Sequence, residues 1–162
     1  MTYGSARTAT LSRSDLLDLI GTLPRVPIAY RPTPLDEAPR LREALGANAP
    51  RILIKRDDQT GLALGGNKVR HLEYRLGDLL QKGADSLVVT NVAQSNHARL
   101  HTALAAKFGL TSYIIKIPSP KDDPVNGNLL LDEIMGARII EAPSAEPAAI
   151  ETLLESLIAD LA

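Results

Sequence analysis

The chain has 162 residues, about one domain's worth, and 44% of them are apolar, enough to bury a core. Eighteen basic residues nearly balance nineteen acidic ones, for a formal charge of −1, so nothing points to a nucleic-acid binder, and no apolar run is long enough to cross a membrane. Cysteine is absent, which excludes disulfides, thiolate catalysis and cysteine metal sites, and with five aromatic residues and no Trp the core must be aliphatic.

Residues 1–13 are polar, rich in Thr and Ser, and read as a disordered tail. They lack the apolar centre of a secretory signal, so the cytoplasm is the expected compartment. Ser14 is placed to cap a short helix carrying Leu16, Leu17, Leu19 and Ile20. Pro24, Pro27, Pro32 and Pro34 predict a stiff extended segment. Residues 35–45 predict a second short helix stopped by Gly46. Residues 51–56 predict a strand through Ile52, Leu53 and Ile54, leading into the polar loop Asp57-Asp58-Gln59-Thr60-Gly61. After Lys68 the pattern is regular. Val69, Leu72, Leu76, Leu79 and Leu80 share a helical face that Gly83 ends, and Leu87, Val88 and Val89 make a short buried strand. A helix runs from about Ser95 to Phe108 and stops at Gly109, and Tyr113, Ile114, Ile115 and Ile117 form the next strand. Pro124 suits the first turn of a helix passing Leu129, Leu130, Leu131 and Ile134 to Gly136. Ile139 and Ile140 make a third strand. Ile150, Leu153, Leu154, Leu157, Ile158 and Leu161 form the cleanest amphipathic stripe.

Such βα units build an α/β fold, a parallel sheet flanked by helices on both faces. The series halts on a helix where another strand would come next, so the fold reads as incomplete. Open strand edges and an uncovered leucine face then predict poor solubility.

Two runs carry the chemistry. In Gly65-Gly66-Asn67-Lys68-Val69-Arg70 a lysine follows a glycine turn and opens a helix. The positive end of the helix dipole favours anions and the neutral amine, which can form a Schiff base with a carbonyl. Alone, the run also reads as a surface lysine in a capped helix. In Thr90-Asn91-Val92-Ala93-Gln94-Ser95-Asn96-His97 a strand ends and a helix begins, the position where open α/β sheets bind ligands and free N–H groups accept anions. Ser95 or Asn96 also reads as an ordinary helix cap. His97 and His101 share a helix face, but no carboxylate or cysteine completes a metal site, so no metal is assigned. His71 is expected to face solvent. Asp57 and Asp58, beside Lys55 and Arg56, read as a salt-bridged loop. A Rossmann-like nucleotide site is disfavoured by the lack of a G-x-G-x-x-G run after a strand.

Together with Tyr30-Arg31-Pro32-Thr33-Pro34-Leu35, residues 55–70 and Gln94-Ser95-Asn96-His97-Ala98-Arg99 closely resemble the N-terminal half of the D-cysteine desulfhydrase and 1-aminocyclopropane-1-carboxylate deaminase family. These are pyridoxal-phosphate enzymes of the tryptophan-synthase-β fold type. Asn128-Leu129-Leu130-Leu131-Asp132 with Gly136-Ala137 also fits, and the resemblance spans about residues 25–142. It implies that residues 14–70 are the first part of a large cofactor-binding domain and residues 71–162 a small α/β domain. It implies pyridoxal 5′-phosphate as cofactor, held covalently by Lys68, with Asn96 hydrogen-bonded to its phenolic oxygen and Asn67 in support. Ser95 would lie beside the reacting atoms, and the turn Gln94, Ser95, Asn96, His97 would hold the substrate carboxylate. The implied substrate is a small amino acid, most simply D-cysteine, and the implied full-length form is a homodimer, with no nucleic-acid or membrane partner. Asn91 and Val92 depart from the small residues usual in the family, and His71 stands where lysine is common. The family's phosphate loop, pyridine-nitrogen partner and active-site tyrosines come from a later half, which leaves a non-catalytic fragment as the alternative reading.

Overall fold

The computed structural model describes residues 10–119 and 124–161. In chain order the elements are α1 (Arg13–Gly21), β1 (Leu35–Glu37), α2 (Pro39–Ala44), β2 (Leu53–Lys55), α3 (Val69–Gln81), β3 (Ser86–Asn91), α4 (Asn96–Phe108), β4 (Thr111–Lys116), α5 (Gly127–Ile134), β5 (Arg138–Glu141) and α6 (Pro147–Leu161). Strands β3, β4 and β5 form a parallel sheet in that order, with Val89 opposite Ile114 and Ile114 opposite Ile139. This is the expected α/β architecture, a parallel sheet flanked by helices.

The core lies where α3 and α4 meet β3. Val69, Leu72 and Leu76 of α3 pack with Leu100, Leu104 and Ala105 of α4 and Leu87 of β3, all nearly sealed from solvent. A second cluster joins Val89, Ala98 and Ile114. The β3 residues Leu87 and Val89 alternate onto one face, as strand geometry requires. α6 keeps its apolar stripe, but no residue of that helix is buried, and Ile158 is 51% exposed.

The N-terminal elements depart from the sequence reading. Most of the expected tail, residues 1–9, lies outside the described residues, whereas Ser12 and Arg13 belong to the start of α1. The cap of α1 is Ser12 rather than Ser14. Ser12 and Asp15 close a reciprocal capping box, with Ser12 N–H donating to Asp15 at 2.9 Å. The expected helix 35–45 is split. Residues 35–37 pair antiparallel with β2 and the helix starts only at Pro39. A residue before proline is forced out of the α region, and Ala38 sits at φ −107°, ψ 70°. Likewise α5 begins at Gly127, three residues after Pro124, and β4 ends at Lys116 rather than Ile117.

The proline-rich segment is tied to α3 by one carboxylate. Glu73 is fully buried and accepts the backbone N–H groups of Ile28 and Ala29, each at 2.8 Å. Arg25 reaches it at 2.8 Å and Arg31 at 3.4 Å. Burial alone would raise its pKa, but these donors override it and hold the carboxyl below its ordinary value.

Candidate active site

Lys68 stands immediately before α3 in helical conformation and is half-buried. The loop that delivers it is folded back on itself. Thr60 is fully buried, and its hydroxyl accepts Gly66 N–H at 2.9 Å. Gly65 has φ +71°, and a Cβ there would lie 1.9 Å from the Asp58 carbonyl oxygen. A Cβ on Gly66 would sit 3.2 Å from Leu100 of α4. The two glycines therefore serve close packing of the loop against its own backbone and α4. Arg70 fastens the same loop, gripping Asp57 through Nε at 2.8 Å and Nη2 at 2.5 Å, and these bonds hold the Asp57 pKa down. Asp58 instead pairs with Arg56 at 2.7 Å. Lys55 donates to the Thr33 carbonyl. The expected salt-bridged loop exists, with Arg70 as the cation on Asp57.

The second wall is the start of α4. Ser95 Oγ accepts the N–H groups of His97 and Ala98, both at 3.2 Å, and so caps the helix. Asn96 Oδ1 accepts from Asn128 Nδ2 at 3.0 Å and from Arg99 Nη2 at 3.4 Å. The Gln94 side chain is turned towards α5. It donates to the Asn126 carbonyl at 3.1 Å and accepts Asn128 N–H at 2.9 Å. Asn67 is exposed on the loop, its carbonyl accepting Arg70 N–H at 3.2 Å. Asn91 remains in β3, and Val92 is 51% exposed.

Three contacts bring the two walls together. Buried Arg99, on α4, donates to the Gly65 carbonyl at 3.2 Å. Gly66 packs on Leu100. His71 Nε2 lies 3.5 Å from His97 Nε2, with the rings edge to face. The expectation that His71 faces solvent is thus overturned, because α3 crosses α4 at this turn. Burial, helped by the charges of Arg75 and Lys68, pushes the His97 pKa below its usual value. His101, one turn further in, is pushed down to about 4, mainly by burial, and among the described residues its Nδ1 has no partner. Among the described residues no group of three or more His, Asp or Glu is placed to hold a metal ion. A cleft of about 300 Å³ lies elsewhere, between α3, β3 and α4, and borders Arg75, Asp78 and His101.

Arg99, Asn128 and Asp132 stand in the runs that carry the resemblance, but the sequence reading gives them no role. Asp132 is buried behind α4, hydrogen-bonded to Thr102, and burial pushes its pKa up to about 6. Arg99 follows Asn96 by three residues, nearly one helical turn, which puts the two side chains on one face of α4. Asn128 meets Asn96 only through tertiary folding.

A family model described as "Pyridoxal-phosphate dependent enzyme" matches residues 26–160. A 1-aminocyclopropane-1-carboxylate deaminase of Rhizobium leguminosarum bv. viciae is 42% identical over 132 residues, which cover 77% of this chain and 39% of that protein. A D-cysteine desulfhydrase of Salmonella paratyphi B is 38% identical over 142 residues, covering 82% of this chain and 42% of that protein. A solved structure of an ACC deaminase homologue superposes with TM-score 0.79 at 35% identity, over 90% of this chain and 43% of that one. The chain therefore spans about two fifths of the length of these relatives. On the span of that match, and on a fold shared with a 35%-identical solved structure, the chain belongs to the pyridoxal-phosphate dependent enzyme family.

Proposed function

We propose that this chain is the N-terminal part of a carbon–sulfur lyase or deaminase acting on a small D-amino acid, D-cysteine first, which with water gives pyruvate, sulfide and ammonia. Ring-opening deamination of 1-aminocyclopropane-1-carboxylate is the alternative, and a sulfonated cysteine analogue a third substrate. The observation that supports this best is the approach of the Lys68 loop to the start of α4, through the Arg99–Gly65 bond and the His71–His97 contact.

The residues suit pyridoxal 5′-phosphate at its aldehyde and phenolic side. Lys68 offers a half-buried amine, and Asn96, with its carbonyl oxygen already engaged, has an NH2 group that no described residue accepts. When bound, the cofactor supplies a carbonyl for amino groups and a ring that takes up the electron pair left at Cα. Lys68 Nζ would hold the cofactor and, with D-cysteine as substrate, would take up the Cα proton; 1-aminocyclopropane-1-carboxylate carries no hydrogen there. Asn96 Nδ2 donates to the phenolic oxygen, and Asn67 supports the lysine loop. The backbone of the turn Gln94–His97, at a helix N-terminus, takes the substrate carboxylate, and Ser95 lies beside the reacting atoms. In this reading residues 14–70 are large-domain and residues 71–162 small-domain.

The test is to mix the protein with pyridoxal phosphate, follow the visible absorption band, reduce with borohydride, and map the adduct. Attachment at Lys68, lost in Lys68→Ala, and pyruvate release from D-cysteine are expected. Attachment elsewhere, or a Lys68→Ala protein that binds as well, overturns the assignment. A band that forms only when a longer form of the protein is used supports the second reading, a chain that is not catalytic alone, which its two-fifths coverage of the relatives favours.

A further inference from the structure

We infer that Asn128 is a positioning residue that, with Arg99, fixes which way the Asn96 amide faces; this rests on the cofactor reading of Asn96 above. The orientation follows from donor–acceptor bookkeeping rather than from the atom labels of an amide, whose oxygen and nitrogen are easily exchanged. Asn128 Nδ2 lies 3.0 Å from the backbone carbonyl of Gln94, which can only accept. The nitrogen of Asn128 must therefore face that carbonyl. The same nitrogen lies 3.0 Å from the Asn96 side chain. Arg99 Nη2, which can only donate, lies 3.4 Å from the same Asn96 atom. Two donors converge there, so that atom is the oxygen. Asn96 Nδ2 is left pointing the other way, and among the described residues nothing accepts from it.

The consequence is chemical. A phenolate needs a donor, and a flipped Asn96 would offer it a carbonyl oxygen instead. Asn128 belongs to α5, far along the chain, and its backbone N–H is itself held by Gln94 Oε1 at 2.9 Å. The α5 start thus dictates the polarity of a group at the start of α4.

The isosteric substitution Asn128→Asp separates this role from simple packing. A carboxylate at 128 can only accept, so Asn96 turns its NH2 towards it and shows its oxygen to the ligand. Asn128→Ala removes the donor without imposing the flip, leaving Arg99 to hold the orientation in part. The experiment measures dissociation constants of pyridoxal 5′-phosphate and of its 3-deoxy analogue, which lacks the phenolic oxygen, by absorbance titration of the protein. Thermal unfolding of each variant is followed alongside.

With pyridoxal phosphate, Asn128→Asp is expected to weaken binding by about tenfold or more and Asn128→Ala by less, since a hydrogen bond to a charged group is replaced by a repulsive contact. With the 3-deoxy analogue both variants are expected to match the unsubstituted protein within about twofold, because the affected bond is missing. Equal losses for both ligands would overturn the proposal by showing a merely structural role, as would an Asp variant that binds pyridoxal phosphate normally. An unsubstituted protein that binds neither aldehyde, whether as this chain or in a longer form, overturns the Lys68 reading itself, a result distinct from binding that ignores position 128.

Discussion

Removing the Glu73 carboxylate should unfasten the proline-rich segment from α3 and cost a large part of the fold's stability. The side chain is fully buried and takes two backbone N–H bonds at 2.8 Å and an arginine at 2.8 Å. Glu73→Ala leaves both N–H groups without an acceptor, at about 1–3 kcal/mol each, and strips a buried charge pair of one member, typically about 3–5 kcal/mol. The terms overlap, and Arg25 and Arg31, with 28% and 36% of their side chains exposed, regain water. A net loss of about 3–5 kcal/mol follows for Glu73→Ala, large against the ~5–15 kcal/mol that separates folded from unfolded domains. Glu73→Gln retains an amide oxygen for the two N–H bonds but loses the charge and sets its NH2 against the arginine donors that Oε2 accepts, so about 1–3 kcal/mol is expected. The pH dependence provides a second readout. The folded pKa lies below the ordinary value of 4.5, so this stabilisation is fully present above pH 4.5 and is lost as pH falls through the depressed value. The Gln variant lacks that component. Urea unfolding followed by circular dichroism from pH 7 to pH 3 measures both effects. An Ala variant within about 0.5 kcal/mol of the parent, or a Gln variant with an unchanged acid limb, would refute the reasoning.

Gly65→Ala combines a left-handed φ of +71° with a Cβ placed 1.9 Å from a backbone oxygen, so it should cost more than about 2 kcal/mol and disturb the lysine loop; urea unfolding at an unchanged midpoint would contradict this. His101 is held neutral in the fold, its pKa pushed from 6.5 to about 4 by burial and by His97, Arg75 and His71. The unfolded chain then takes up a proton that the fold refuses, so stability falls as pH drops from 6.5 towards 4, by roughly 3 kcal/mol in full. Asp132, raised to about 6, acts in the opposite sense, its contribution present below 3.8 and lost as pH rises through 6, so the observed slope is shallower. His101→Gln should gain stability relative to the parent across pH 6.5 to 4, and parallel curves would rule the explanation out.

The periodic half of the chain was legible because burial there is one-sided and repetitive. α3, β3, α4 and β5 fall where the spacing of Leu, Val and Ile and the stops at Gly83, Gly109 and Gly136 put them. Sequence reading failed where a local rule was overridden by its neighbour. Pro39 governs Ala38 and divides residues 35–45, and Asp15 selects Ser12 over Ser14 as the cap. The Lys68 and Ser95–Asn96 runs were visible as motifs, and the structure sets them on adjacent helix starts. The roles of the residues around them were not visible. Glu73, Arg99, His71 and Asn128 look like ordinary surface polar residues until distant segments bury or engage them, and no linear spacing encodes a partner 26 to 48 positions away.

Gln94 makes four hydrogen bonds to Asn126 and Asn128 with its side chain and carbonyl, and Gly127 fits beneath its amide only because it lacks a Cβ. The mouth of α4 and the head of α5 are thereby riveted into one lever. Widening this mouth therefore means either breaking those four bonds or moving the head of α5 together with the turn at 94.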